Sequence, residues 1–307
     1  MTHSFSFPDG SLVESPVGYP VGIVGVGNMG GAMAANLLAH GWPVHVCDID
    51  VAKPQLLARQ GAVVDAHPAE MASKVSLLIV CVVDGVQTQE VLFGLNGAAQ
   101  HMQAGNAVML CPTISPEDVE VCADKLAALG IQTIDAPMSG GPARARDGSM
   151  SLMIACQDTV FEQHQILLQT LSNQVFRISQ QLGDGAKTKL VNNLLAGINL
   201  AGAAEVMALS ERMGLDLTTT LNVIEQSSGQ SWIGSDRMRR AIADDFEPRA
   251  HTTLLAKDTK LAVEAANKLG FKTPIGQLTT DTFARALAQG FSELDDASLL
   301  KLSRHDN

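Results

Sequence analysis

The fold of this chain is decided by one short stretch near its N-terminus, Val21-Gly22-Ile23-Val24-Gly25-Val26-Gly27-Asn28-Met29-Gly30. It opens with a short apolar run typical of a buried parallel strand, which stops at a glycine, and a helical pattern follows. In such a GxGxxG turn, Gly25 permits the tight bend, Gly27 lets the backbone approach a pyrophosphate, and Gly30 lets the helix pack on the strand. With Asp48 standing about twenty residues further on, the stretch predicts a dinucleotide-binding unit.

The rest of the chain divides into two kinds of pattern. Strand and helix patterns alternate over residues 21–178, which predicts an α/β domain with a Rossmann-like, doubly wound parallel sheet. After Gly185 the pattern becomes helical, and Lys187 to Met213 is apolar almost all round, which predicts a helix buried on every side. The predicted domains are a flexible tail over 1–20, a dinucleotide-binding domain over 21–180 and an all-helical domain over 181–307.

Composition excludes several classes of partner. The net charge of -11 argues against binding to DNA or RNA, which needs a clustered positive surface. Five cysteines without a CxxC pair, and histidines without HxxxH spacing, predict a reduced cytoplasmic protein with no metal site. The apolar run Leu77–Val83 is too short to span a membrane, no other segment is expected to come closer, and Met1–Pro20 has no signal-peptide pattern.

The acid at position 48 indicates which dinucleotide is bound. Asp48 is followed by Ile49 and not by an arginine. A carboxylate at this place accepts hydrogen bonds from a ribose 2'-hydroxyl and repels a 2'-phosphate, so NAD is favoured over NADP. Two alternatives stay open: Asp48 only caps a strand, or Lys53 reaches a 2'-phosphate. The cofactor-binding candidates of this region are Gly25, Gly27, Asn28, Met29, Gly30 and Asp48.

A lysine on the long apolar helix is the candidate acid/base. Transfer of hydride from an alcohol carbon needs one group that takes the hydroxyl proton. Lys189 has Asn192 at i+3 and Asn193 at i+4, so the three side chains share one helix face, and burial lowers the pKa of an ammonium. The alternative is that Lys187 and Lys189 are both surface residues in the first turns of a helix.

Other candidates are less specific from spacing alone. Ser139-Gly140-Gly141 follows a strand that ends at Asp135, and backbone N–H groups exposed by two glycines can hold a carboxylate. An ordinary glycine turn is the alternative. Trp232 is a candidate for a pocket wall or for the core. By spacing, Lys257-Asp258 is only a solvated charge pair on a helix.

Four motifs in this order resemble the β-hydroxyacid dehydrogenase family over residues 21–302. They are Gly25–Gly30 with Met33–Leu37, Asp135–Gly141, Gly185–Asn193 and Leu254–Asp258. The resemblance implies NAD(P)-dependent oxidation of the CH–OH group of a small hydroxy acid, with Lys189 as acid/base. It implies that Asn193 and Asn192 bind substrate, that Ser139, Gly140 and Gly141 hold the substrate carboxylate, and that Thr113 and Lys257 line the cofactor. It also implies a homodimer or homotetramer built on the helical domain.

Two departures from the family pattern lie near the cofactor. Pro112 precedes Thr113 where the family usually has serine, and Val83-Asp84 stands where it usually has Leu-Pro. The C-terminal half is most similar to the L-threonate dehydrogenase branch, through Arg237-Met238-Arg239 and Asp295-Asp296-Ala297 among other segments. Alternatives are a 3-hydroxyisobutyrate dehydrogenase, a tartronate semialdehyde (2-hydroxy-3-oxopropionate) reductase, and a catalytically inactive cofactor-binding scaffold. The intact Lys189 counts against the scaffold.

Overall fold

The computed structural model describes residues 5–6, 12–13 and 18–305. Its internal contacts divide the chain into two units, Met1–Thr188 and Lys189–Asn307. Most of the predicted tail over 1–20 lies outside the described residues. Within it, strands β1 (Phe5–Ser6) and β2 (Leu12–Val13) pair antiparallel.

In the described part of the first unit, a nine-stranded sheet carries helices on both faces. Its strands are β3 (Val21–Val24), β4 (Val44–Cys47), β5 (Val63–Val64), β6 (Leu77–Val80), β7 (Ala107–Leu110), β8 (Gln132–Asp135), β9 (Met138–Ser139), β10 (Ser151–Ala155) and β11 (Gln174–Ser179). The order is β11-β10-β8-β7-β6-β3-β4-β5, and β9 pairs with β10. Strands β3 to β8 run parallel, and β10 joins β8 antiparallel.

The helices of the first unit follow the strands in alternation. They are α1 (Asn28–Ala39), α2 (Ala52–Ala58), α3 (Pro68–Ala72), α4 (Gly85–Phe93), α5 (Pro116–Ala127), α6 (Gly141–Asp147) and α7 (Asp158–Leu171), with a 3-10 turn at Ala99–His101. Strands β3, β6 and β7 are buried at every residue, because helices cover both faces of the sheet. The predicted doubly wound α/β fold is confirmed.

The described part of the second unit is helical apart from one isolated β-bridge. Its helices are α8 (Asp184–Arg212, which begins in the first unit), α9 (Leu217–Glu225), α10 (Trp232–Ile242), α11 (Thr252–Lys268), α12 (Pro274–Ala288) and α13 (Leu299–His305). Two 3-10 turns, Phe291–Glu293 and Asp296–Ser298, precede α13. Its core contains Phe283, Met207 and Leu300, all fully buried.

The prediction that the long helix is buried on every side is wrong. One face of α8 is buried, including Lys189, Asn193 and Met207. The other face leaves large apolar side chains exposed, among them Val191 at 72% and Leu195 at 58%. An apolar composition on all sides indicates that both faces of the helix are suited to burial. Within the described part of the single chain, only one face packs against other helices.

The expectation that no segment comes closer to a membrane span than Leu77–Val83 is also wrong. Among the residues described, helix α8 is long and apolar enough to cross a membrane by length and composition, with a mean hydropathy of 1.3. One such helix is weak evidence for a membrane, because core helices of soluble proteins meet the same criteria.

Candidate active site

The glycine loop between β3 and α1 has two crowded positions and one open position. A Cβ atom at Gly25, where φ is +89°, would lie 2.5 Å from the carbonyl oxygen of Cys81. A Cβ atom at Gly30 would lie 2.0 Å from the carbonyl oxygen of Gly25. At Gly27, no described atom lies within 4 Å of the same point. The loop therefore keeps free space at its second glycine, where a ligand can approach the backbone.

Helix α1 begins directly after this open position. Gly27 supplies no side-chain cap, and no acidic residue stands in the first turn, which the structure describes completely. Asn28 is exposed and Met29 half-buried at the start of the helix. The N–H groups of an uncapped helix N-terminus bind anions such as a pyrophosphate. The cradle therefore fits a dinucleotide.

Asp48 is attached directly to this loop. Its Oδ2 accepts a hydrogen bond from the backbone N–H of Val26 at 2.7 Å, and its Oδ1 accepts one from the N–H of Asp50 at 2.9 Å. Its neighbour Ile49 is fully exposed. The Nζ of Lys53 lies 3.5 Å from the carboxylate of Asp50. The carboxylate of Asp48 is thus held in one orientation beside the glycine loop.

Three further candidates of the first unit follow strands of the same sheet. Val83, which is half-exposed, follows β6 and donates its N–H to the side-chain oxygen of Gln87 at 3.1 Å. Thr113 follows β7, and Ser139 follows β8. Since β3, β6, β7 and β8 are parallel neighbours, these residues and the glycine loop lie along one carboxyl edge, where open α/β sheets bind ligands.

The two glycines after Ser139 have backbone conformations that other residues rarely adopt. Gly140 has a φ of +129° and Gly141 a φ of +76°. A Cβ atom at Gly140 would lie 2.9 Å from Cδ of Arg144 and 3.3 Å from Cα of Met150. This segment is therefore a strained turn specific to glycine and not a turn that any residue could form.

In the second unit, the two lysines at the start of α8 have different surroundings. Lys187 is half-exposed and its Nζ pairs with Oδ1 of Asp184 at 2.8 Å. Lys189 is only 7% exposed. Burial lowers the pKa of Lys189 to about 8; the charge of Asp258 raises it and the charge of Lys257 lowers it further. The alternative that both lysines are surface residues is thus wrong for Lys189.

Four polar side chains form one hydrogen-bonded cluster. Two of them, Asn192 and Asn193, lie on α8, and the other two, Lys257 and Asp258, lie on α11. Asn193 donates to Oδ2 of Asp258 at 2.6 Å and accepts from Nδ2 of Asn192 at 3.0 Å. The Nζ of Lys257 donates to Oδ1 of Asp258 at 2.7 Å. Asp258 is 6% exposed, so the interpretation of Lys257-Asp258 as a solvated charge pair is wrong. The structure therefore brings Asn192, Asn193 and Lys257 together around a buried carboxylate.

Asp258 is the residue of this cluster that the sequence analysis did not select as a site residue. A signal was present in the pattern of α11, where Leu255, Asp258, Thr259 and Ala262 are buried at helical spacing. An acid on the apolar face of an amphipathic helix needs a buried partner. Trp232 belongs to another helix: it begins α10 and is 51% exposed, so it is not a core residue.

Comparison with known proteins agrees with this geometry. Residues 20–179 match the NAD-binding domain of 6-phosphogluconate dehydrogenase, and residues 183–303 match the NAD-binding family of NADP-dependent 3-hydroxyisobutyrate dehydrogenase. The chain is 35% identical to L-threonate dehydrogenase of Cupriavidus necator, over 92% of this chain and 95% of that one. It is 32% identical to mitochondrial 3-hydroxyisobutyrate dehydrogenase of Mus musculus, over 94% and 88%.

Among solved structures, the crystal structure of a 3-hydroxyisobutyrate dehydrogenase from Salmonella typhimurium matches with a TM-score of 0.88 and 34% identity, covering 93% of this chain and 100% of that one. Fold and comparisons together define an NAD(P)-dependent oxidoreductase that acts on CH–OH groups. The chain belongs to the β-hydroxyacid dehydrogenase family, as its four motifs predicted. Among the residues described, no group of three or more His, Cys, Asp or Glu side chains could hold a metal ion.

Proposed function

We propose that this protein oxidises a small hydroxy acid of the L-threonate type with NAD, and that Lys189 is the acid/base. The observation that carries the proposal is the buried Lys189 with a pKa of about 8, next in sequence to a polar cluster around Asp258. An amine with that pKa is neutral in about a tenth of the molecules at pH 7, whereas an ordinary lysine is neutral in fewer than about one in a thousand. Burial thus prepares Lys189 to exchange protons near neutral pH.

The residues proposed to hold the cofactor are the loop Gly25, Gly27, Asn28, Met29 and Gly30, together with Asp48, Val83, Thr113 and Lys257. When bound, NAD accepts the hydride from the hydroxyl-bearing carbon. Each oxygen of Asp48 receives one backbone N–H and keeps a lone pair for the ribose hydroxyls. Its charge repels a 2'-phosphate, and Lys53 is already paired with Asp50. These contacts support NAD over NADP.

The proton of the substrate hydroxyl goes to Lys189 in this proposal. The neutral amine accepts the proton as the C–H bond breaks, and returns it in the reverse reaction. Asn193 has one amide hydrogen on Asp258, which leaves the other for a substrate oxygen. Asp258 orients Asn193, and its charge keeps the pKa of Lys189 from falling further. Asn192, whose side-chain amide donates to Asn193, is proposed to bind the substrate as well.

Substrate selection is proposed to rest on the turn Ser139-Gly140-Gly141, whose N–H groups hold the carboxylate, and on Trp232 as a pocket wall. The left-handed glycines support this role, because such turns expose consecutive N–H groups. Relatives include both L-threonate and 3-hydroxyisobutyrate dehydrogenases, so 3-hydroxyisobutyrate and tartronate semialdehyde are the alternative substrates. The buried lysine and its polar neighbours speak against an inactive scaffold.

The exposed apolar face of α8 supports the proposal of a homodimer or homotetramer. Val191, Leu195, Val206 and Leu209 are each at least 44% exposed. Their spacing places them on one side of the helix, and a contiguous apolar face of this kind is typical of a subunit interface. We further propose a functional boundary near residue 180 and a cytoplasmic location, which fits five unpaired cysteines.

The test is an oxidation screen with L-threonate, 3-hydroxyisobutyrate and other small hydroxy acids, using NAD and NADP and the absorbance of the reduced cofactor. Lys189→Ala should lose about 10²- to 10⁴-fold in kcat while keeping cofactor binding, because it removes the acid/base. The matched control is Lys187→Ala, a half-exposed lysine two residues away, which should change kcat less than about twofold. Near-normal turnover by Lys189→Ala refutes the mechanism, and a clear preference for NADP refutes the argument from Asp48.

A further inference from the structure

One buried carboxylate of the first unit has no role in the function proposed above. Asp135 is the last residue of β8 and is 1% exposed. Its Oδ2 accepts hydrogen bonds from the backbone N–H of Gly183 at 2.9 Å and of Ala186 at 3.1 Å, and the N–H of Gly185 is a third donor. Gly183 directly precedes α8, and Gly185 and Ala186 lie in its first turn. The carboxylate thus closes the first turn of that helix.

The first turn of α8 is shaped around this carboxylate. A Cβ atom at Gly185 would lie 2.9 Å from Cγ and from both oxygens of Asp135, so only glycine leaves room for the contact. Gly183, just before the helix, has a φ of +92°, which also favours glycine. The glycine that begins the family motif Gly185–Asn193 is thus explained by a residue in a different motif.

Asp135 lies close in the chain to Ser139, and it binds the helix turn that precedes Lys189. Along the chain, Ser139 lies four residues after Asp135. On the helix, Lys189 lies three residues after Ala186, which is about 4.5 Å of axial rise. A shift of the first turn of α8 would move the Lys189 backbone with it, because helical hydrogen bonds make the first turns of a helix one rigid element.

We propose that Asp135 is a positioning residue for the proton transfer: its carboxylate fixes the first turn of α8, and through that turn the side chain of Lys189. This inference rests on the proposed role of Lys189. Asp135 itself does not touch the reacting atoms.

The ionised carboxylate does not serve stability at this place. Burial raises its pKa from 3.8 to about 6, although the three N–H donors lower it, and the charge of Asp184 raises it further. A pKa raised by folding means that folding favours the protonated form, so the ionised form lowers the free energy of unfolding as the pH rises from 3.8 through about 6. At pH 7 the ionised carboxylate therefore stabilises the fold less than its protonated form would, while its hydrogen bonds to the N–H groups of Gly183 and Ala186 hold the turn in place.

The groups facing Asp135 from the packed elements allow a pH test. They are Asp184 and Lys187 on α8, Cys111 after β7 and Cys156 after β10. Burial raises the pKa of both thiols, to about 11 for Cys156, so they stay neutral. The test uses the reductive direction, in which protonated Lys189 is the active form. Acid therefore does not inactivate Lys189 in this direction. We expect kcat to fall near pH 6, as Asp135 becomes protonated.

The first experiment compares Asp135→Asn with the matched control Asp184→Asn in the full-length protein. An asparagine has nearly the same size as aspartate, but it carries no charge and replaces one carboxylate oxygen by an NH2 group, so the turn should shift without loss of the fold. We expect Asp135→Asn to lose about tenfold to a hundredfold in kcat and to lose the acidic limb. Its Kd for NAD by calorimetry and its melting temperature at neutral pH should stay close to those of the wild type.

The control Asp184→Asn should keep kcat at neutral pH and move the acidic limb to lower pH, because it removes a charge that raises the pKa of Asp135. This shift tests the inference even if the asparagine variant at position 135 folds poorly. An unmoved limb, or an Asp135→Asn variant with normal kcat, refutes the positional role.

A double variant separates this inference from the proposed function. If Asp135 acts through Lys189, then Asp135→Asn should cause little further loss in a Lys189→Ala background. Losses that multiply in the double variant refute the inference while the role of Lys189 stands. Normal turnover by Lys189→Ala alone refutes the role of Lys189, and the inference with it.

Discussion

Two glycines of the loop between β3 and α1 should respond in opposite ways to the same added methyl group. At Gly30, the Cβ atom of alanine would lie 2.0 Å from the carbonyl oxygen of Gly25, more than an ångström inside the usual carbon–oxygen contact of about 3.3 Å. The close neighbour is backbone, so the strand and the helix must move apart. Such overpacking lowers the free energy of unfolding by about 1–3 kcal/mol, or roughly 2–12 °C in Tm.

At Gly27, the same methyl group meets no described atom within 4 Å, and the φ of -67° suits alanine. We expect a change in the free energy of unfolding within about 0.5 kcal/mol. The methyl group does occupy the space that the cradle keeps for a pyrophosphate. The Kd for NAD should therefore rise at least tenfold, which corresponds to about 1.4 kcal/mol.

Thermal melting with and without NAD, and calorimetry for the Kd, separate the two effects. The wild type should gain Tm on adding NAD, because a ligand that binds only the folded state stabilises it. Gly27→Ala should melt like the wild type without NAD and gain little with it. Gly30→Ala should melt earlier even without NAD. A Gly30→Ala variant of unchanged Tm, or a Gly27→Ala variant of unchanged Kd, contradicts the assignment of packing to one glycine and ligand space to the other.

Two other substitutions test the electrostatics and the carboxylate turn. Asp258→Asn removes a charge that raises the pKa of Lys189, so the limb of the oxidative kcat/KM profile should move from about pH 8 to lower pH. A limb that stays or moves upward contradicts the coupling. Gly140→Val places a branched side chain at a φ of +129°, so KM for the hydroxy acid should rise strongly while the Kd for NAD stays nearly intact. Steady-state kinetics and calorimetry measure the pair, and an unchanged KM speaks against a carboxylate site at that turn.

Features that depend on local spacing could be predicted from the sequence. The GxGxxG loop, Asp48 after its strand and the short apolar strands each follow from a few adjacent residues. The start of α5 is a further case: Ser115 accepts a hydrogen bond from the N–H of Asp118, as its place before Pro116 indicates. Backbone conformation and capping involve neighbours in the chain, so the pattern carries their physics directly.

Only the tertiary structure decided which polar residues are buried and with which residues they form hydrogen bonds. Lys187 and Lys189 are both lysines in the first turns of α8, and the sequence pattern does not distinguish them. Only Lys189 is buried and has a lowered pKa. The partner of Asn193 is Asp258, 65 positions away on another helix, and the partners of Asp135 are 48 and 51 positions away.

The exposed apolar face of α8 also could not be predicted from the sequence. The apolar composition of the helix did not indicate that one side stays exposed in the single chain. The sequence by itself determined the α/β fold, the cofactor loop and the family, since these are written in short-range patterns. Burial, pKa and pairing arise when distant elements pack together, so those properties of Lys189, Asp258 and Asp135 were decided by the tertiary structure.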